Sequence, residues 1–114
     1  MARLSKQQVF KAPLKTEEVE VPEWGGTVLV SEMPVAKRTE LLSRFVTADG
    51  KPTAVSAALE LDIFIAGCID PEFSQADAAE LQGVSGAAVG RVARVVMALN
   101  GLGGDAADEA RGNS

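Results

Sequence analysis

The chain changes its hydrophobic period once, near residue 33, and that change limits the folds open to it. Residues 18–31 read EVEVPEWGGTVLVS, in which Val19 and Val21 alternate with glutamates and Val28 and Val30 bracket Leu29. Alternation with β-branched residues, interrupted by Trp24-Gly25-Gly26, predicts a β-hairpin with Pro22 at a strand end. From Pro34 onward the spacing is helical. The predicted class is therefore α+β: a small N-terminal β-hairpin followed by a mainly α-helical bundle of about four helices.

The first of these helices starts at Pro34, which suits a first-turn position, and carries a stripe of Val35, Leu41, Leu42, Phe45 and Val46. Asp49-Gly50-Lys51-Pro52 reads as a turn. Thr53 then caps a second helix running to about Ile69, with Ala54, Ala58, Leu61, Ile65 and Cys68 on one side and Val55, Leu59 and Ala66 on the other. Its apolar run LDIFIAGCI also suits a strand; length and the alanine-rich lead-in favour the helix. Asp70-Pro71 ends it. Ser74 and Asp77 form a capping box for a third helix that ends at Gly83, with Phe73 just outside. Ser85 caps the fourth, whose apolar line is Val89, Val92, Val96 and Leu99, and Gly101, Gly103 and Gly104 stop it.

Charge is distributed in blocks at the start of the chain. Arg3, Lys6, Lys11 and Lys15 stand in residues 1–15 without an acid, and five glutamates stand in residues 16–32 without a base. We read residues 1–16 as a basic arm, residues 17–103 as a single α+β domain, mostly helical, and residues 104–114 as a mobile C-terminal tail. Pro13 argues against a long helix in the arm. The arm is either solvated or grips an acidic partner surface.

The 114 residues suffice for one modest core. They include no histidine, no tyrosine and one cysteine, Cys68, so imidazole-based catalysis, an internal disulfide and a Cys/His metal cluster are all excluded. Cys68 lies in an apolar run and reads as a small core residue. The carboxylate pairs, such as Glu60 with Asp62 and Asp77 with Glu80, fall at caps, turns and exposed positions, not in a pocket that would separate their pKa values. We therefore expect no enzyme activity, no cofactor and no metal. The net charge of −5 disfavours nucleic acid and anionic lipid. No secretory leader or membrane-spanning run is visible, so no membrane partner and a reducing cytoplasm are expected.

Two local patterns have competing meanings. Residues 74–96 resemble a DNA-binding helix-turn-helix, with Ala79 small, Gly83-Val84-Ser85 at the turn, and Val89 and Val92 inward. The first turns of the second helix, however, offer Gly86, Ala87, Ala88 and Gly90, with only Ser85 and Arg91 able to donate to base edges. A small helix-turn-helix DNA-binding regulator is thus the alternative function. Gly83, Gly86, Ala87 and Gly90 either line a groove for a partner helix or allow tight internal packing. Trp24 either covers the open end of the core or anchors a partner.

The order of features resembles the tail assembly chaperones of long-tailed bacteriophages. The resemblance rests on Val21-Pro22-Glu23-Trp24-Gly25-Gly26 in an early hairpin, the helix after Pro34, and Asp70 shortly before Phe73. It continues through the run of Phe73, Asp77 and Leu81, then Leu99-Asn100 with Leu102, and ends at Asn113-Ser114. It spans roughly residues 17–114; the glycine- and alanine-rich stretch from Gly83 to Gly90 departs from it. It implies a non-enzymatic protein of the host cytoplasm, absent from the mature virion. Such a protein binds the helical tape-measure protein and promotes tail-tube polymerisation around it. It also implies a homo-oligomer and a frameshift-extended form that recruits tail-tube protein. The partner-binding candidates are Trp24, Gly83, Gly86, Ala87 and Gly90.

Overall fold

The computed structural model describes residues 2–45 and 57–102. Its elements are α1 (Lys6–Lys11), β1 (Thr16–Val21), β2 (Gly26–Ser31), α2 (Val35–Leu42), α3 (Ala57–Gly67), β3 (Cys68–Asp70), α4 (Ala78–Leu81) and α5 (Gly86–Leu99). The class is α+β, as the change of period predicts. The Asp49–Pro52 turn, the Thr53 cap and the tail at 104–114 lie outside the described residues.

β1 and β2 pair antiparallel from Thr16 with Ser31 to Val21 with Gly26. Pro22–Trp24 form a 3₁₀ turn between them, closed by Gly25 at φ 74°. Alternation does what the pattern requires: Val19, Val21, Val28 and Val30 are buried, while Glu18 and Glu20 face solvent. A third strand departs from the expectation. α3 stops at Gly67, not Ile69, and Cys68–Asp70 pair antiparallel with β2 across an irregularity at Leu29 and Val30. The hairpin is therefore one part of a three-stranded sheet in the order β1-β2-β3. Asp70-Pro71 follows this strand and does not break the helix.

The helices rest on that sheet through α5. It packs along α3 and against both β1 and β2. Ala88, Val89, Val92, Ala93, Val96 and Met97 are buried along its inner face, and Arg94 is exposed on the other. Burying one such valine or methionine contributes about 1.5–3 kcal/mol relative to exposure. α3 is apolar nearly all round, and its deepest residues are Ile63 and Phe64, both fully buried. These two lie on neither of the two predicted stripes, and Ala58, assigned to one, is exposed. Val35 is also a correction: it is 82% exposed at the start of α2, while Leu41 is buried. Pro34 stands one residue earlier than expected, at the N-cap.

The caps are those the local sequence specifies. The Ser74 backbone N–H donates to Asp77 Oδ2 at 2.8 Å, completing a capping box. The segment begins as a 3₁₀ turn, and α4 itself is one turn long. Ser85 Oγ accepts from the Ala88 N–H at 3.2 Å. α5 ends in a Schellman motif, in which Leu102 N–H donates to Met97 O and Gly101 N–H to Ala98 O. Gly101 supplies the left-handed backbone this requires, at φ 68°. Asn100 is buried between elements: Oδ1 accepts from Met33 N–H at 2.6 Å and Nδ2 donates to Val96 O at 2.8 Å. Several residues that carry the family resemblance, Leu81, Asn100 and Leu102 among them, are thus buried fold-determining positions.

Candidate partner-binding site

Trp24 sits at the tip of the hairpin, with its ring edge-on to Phe64 at 5.9 Å and 76°. Phe64 in turn meets Phe73 at 5.3 Å, and Trp24 keeps 37% of its surface exposed. The ring therefore covers the end of the core and still presents a face to solvent. Edge-on geometry aligns the positive ring edge with a negative face and adds roughly 0.5–1.5 kcal/mol beyond burial.

The four small candidates separate. Gly90 is buried against α3, where a Cβ would lie 3.1 Å from Glu60 Oε1. Its bare backbone serves the internal helix contact. Gly86, the first residue of α5, has nothing within 4 Å of the Cβ position. It lines an open groove of about 140 Å³ with Leu61, Leu81, Val84 and Val89 and with the polar Glu60 and Gln82. Gly83 and Ala87 are exposed nearby in sequence but outside the groove lining, and Trp24 belongs to the separate aromatic cluster. Sequence reasoning missed the apolar part of this lining, Leu61, Leu81, Val84 and Val89. Val84, an exposed valine between a helix end and an N-cap, was its only local signal.

A second missed pair joins the hairpin tip to α5. Arg91 donates from both terminal nitrogens to the two Glu23 carboxylate oxygens, each at 2.6 Å. Those two hydrogen bonds, with one from its own backbone, hold the Glu23 carboxyl at about 2, well below its ordinary 4.5. The guanidinium pKa is raised in return. Glu23 and Arg91 retain 29% and 39% side-chain exposure, so the pair's contribution is orientation more than stability. Because the folded carboxyl is the stronger acid, its share of stability is complete above pH 4.5 and is lost as pH falls toward 2. In a carboxyl NMR titration Glu23 should show a midpoint near 2, and Arg91→Ala should return it toward 4.5. A wild-type midpoint near 4.5 would mean that the clamp does not form in solution.

Both donors available for reading bases are thus engaged, Ser85 in capping α5 and Arg91 in the Glu23 clamp. Cys68 is buried, its thiol donates to Pro71 O at 3.2 Å, and burial pushes its pKa up to about 11, so it stays protonated and unreactive. Among the described residues no group of three or more His, Cys, Asp or Glu could hold a metal ion. No helix among them is long and apolar enough to cross a membrane. Comparison with protein-family models, with curated proteins and with solved structures returned no match.

Proposed function

We propose that this chain is a non-enzymatic tail assembly chaperone that covers apolar helical stripes of a phage tape-measure protein in the host cytoplasm and promotes tail-tube polymerisation around it. The chaperone is absent from the mature virion, and a frameshift-extended form brings in tail-tube protein. The observation that carries the reading is the open groove at the start of α5, where Leu61, Leu81, Val84, Gly86 and Val89 lie beside Glu60 and Gln82. A helix docking there gains apolar contact without displacing any side chain at Gly86. The order of motifs shared with the tail assembly chaperones supplies the partner.

Such a partner exposes amphipathic helices that aggregate until tube subunits enclose them. Reversible apolar cover keeps it soluble, and the acidic surface of the chaperone keeps the complex soluble in turn. Contact of this kind is not screened by salt, unlike binding through charge. Co-expression with the matching tape-measure protein should raise its soluble yield, and the two should copurify at raised salt. A tape-measure protein that stays insoluble and never copurifies, even with the extended form supplied, overturns the proposal. A sequence-specific DNA footprint lost in Arg91→Ala would establish the helix-turn-helix regulator in its place.

A further inference from the structure

The N-terminal arm is an amphipathic segment that the described residues leave uncovered. All residues from 2 to 18 are exposed, and no residue of α1 is buried. Leu4, Val9, Phe10 and Leu14 are 72%, 54%, 78% and 49% exposed. α1 is nevertheless built as a helix: Ser5 and Gln8 form a capping box, and Ala12 turns extended ahead of Pro13. Six residues of isolated helix are marginal in water, and burying their apolar side against a second surface would stabilise them.

The arm does not cover its own sheet in this arrangement. Lys15 N–H donates to Glu32 Oε1 at 2.6 Å and Lys15 O accepts from Glu32 N–H at 2.8 Å. These bonds extend the ladder one step past Thr16, so the arm continues the line of β1 beyond the sheet. The sheet's outer face lies behind it. There Glu18, Leu29 and Asp70 stand side by side across the three strands, with Glu20 and Thr27 in the next row. A cleft of about 260 Å³ opens between Glu18, Thr27, Leu29, Asp70 and Pro71. The arm carries four bases and no acid, and β1, the turn and β2 carry only acids. The two surfaces are complementary in charge, and each has apolar groups at its centre.

We propose that the arm of one chain docks on the outer sheet face of a second copy, with Lys6 and Lys11 against Glu18 and Glu20 and with Phe10 toward Leu29 and Pro71. The exchange is reciprocal, which gives a closed two-fold dimer. The same chemistry argues against an anionic lipid surface or nucleic acid, because docking there would press the adjoining hairpin glutamates toward like charge. This inference is independent of the chaperone reading: self-association rests on charge and is salt-sensitive, whereas capture of the tape-measure partner is salt-resistant.

Light scattering and sedimentation of the full chain test it. The wild type should dimerise with increasing concentration and dissociate as salt rises from roughly 0.05 to 0.5 M. Lys6→Glu/Lys11→Glu and Glu18→Lys/Glu20→Lys should each weaken dimerisation by roughly tenfold or more. An equimolar mixture of these two variants should recover the dimer, because both arm–sheet contacts are then between opposite charges. All four positions are exposed, and circular dichroism checks that each variant is folded. A wild type that remains monomeric, variants that dimerise undiminished, or a mixture that fails to recover would each overturn the proposal. Retention of a monomeric wild type on anionic vesicles, lost in Lys6→Glu/Lys11→Glu, would assign the arm to lipid instead.

Discussion

Phe64→Ala is expected to remove about 3–5 kcal/mol of stability, measured by urea unfolding. Phe64 is fully buried and is the ring shared by Trp24 on the hairpin tip and Phe73 before the capping box. Truncation leaves a cavity that three separate elements would have to close together, and it deletes both ring contacts. Set against a total stability of about 5–15 kcal/mol, that loss leaves a marginal fold. Trp24 is the only tryptophan, so its emission reports the change without interference and should shift to the red. Phe64→Leu should lose clearly less. A loss below about 1 kcal/mol in Phe64→Ala would place the core elsewhere.

Gly67→Ala is the second large effect, and its sign is informative. In an ordinary helical position alanine gains about 1 kcal/mol over glycine. At Gly67, however, a Cβ would run into both methyl groups of Val96, which is itself fully buried and has no room to turn. Overpacking of this kind costs about 1–3 kcal/mol and drives α3 away from α5. The double variant Gly67→Ala/Val96→Ala should be more stable than the sum of the two single losses, by roughly 0.5–3 kcal/mol. Gly67→Ala that stabilises the chain would show that the two helices do not approach closely there.

Much of this fold is written in short-range pattern, and the parts that are not depend on distant partners. The hairpin, the Ser74–Asp77 capping box, the Ser85 cap and the Gly101 stop each need only neighbours within a few residues, and all four form as the residues indicate. β3 could not be read this way. Cys68-Ile69-Asp70 is a three-residue segment at the end of an apolar run, and pairing with Leu29 and Val30, about forty residues away, is what makes it a strand. Ile63 and Phe64 escaped notice because α3 is apolar on nearly every side, and such a helix shows no preferred face.

The site was legible in part for the same reason. Gly86 is accessible because it begins a helix, a local property, whereas Gly90 faces Glu60 because α3 crosses there. No sequence pattern distinguishes the two. The Glu23–Arg91 clamp joins residues 68 positions apart and leaves no local trace. In the arm, by contrast, the basic residues were plain from the sequence, but the exposure of Leu4, Phe10 and Leu14 could be known only once the body was folded without them.

The proposed chaperone function is tested most directly by comparing wild type with Val84→Glu in capture of the co-expressed tape-measure protein at raised salt. Val84 lines the groove, is 38% exposed, and lies in the turn between α4 and α5, so a glutamate there leaves the core intact while placing charge in the apolar contact. The wild type should hold the partner in solution and copurify with it. Val84→Glu, with an unchanged circular dichroism spectrum and unfolding midpoint, should lose most of that capture. Equal capture by both would move the partner surface away from the groove. No capture by the wild type, with the extended form also supplied, would contradict the chaperone function itself.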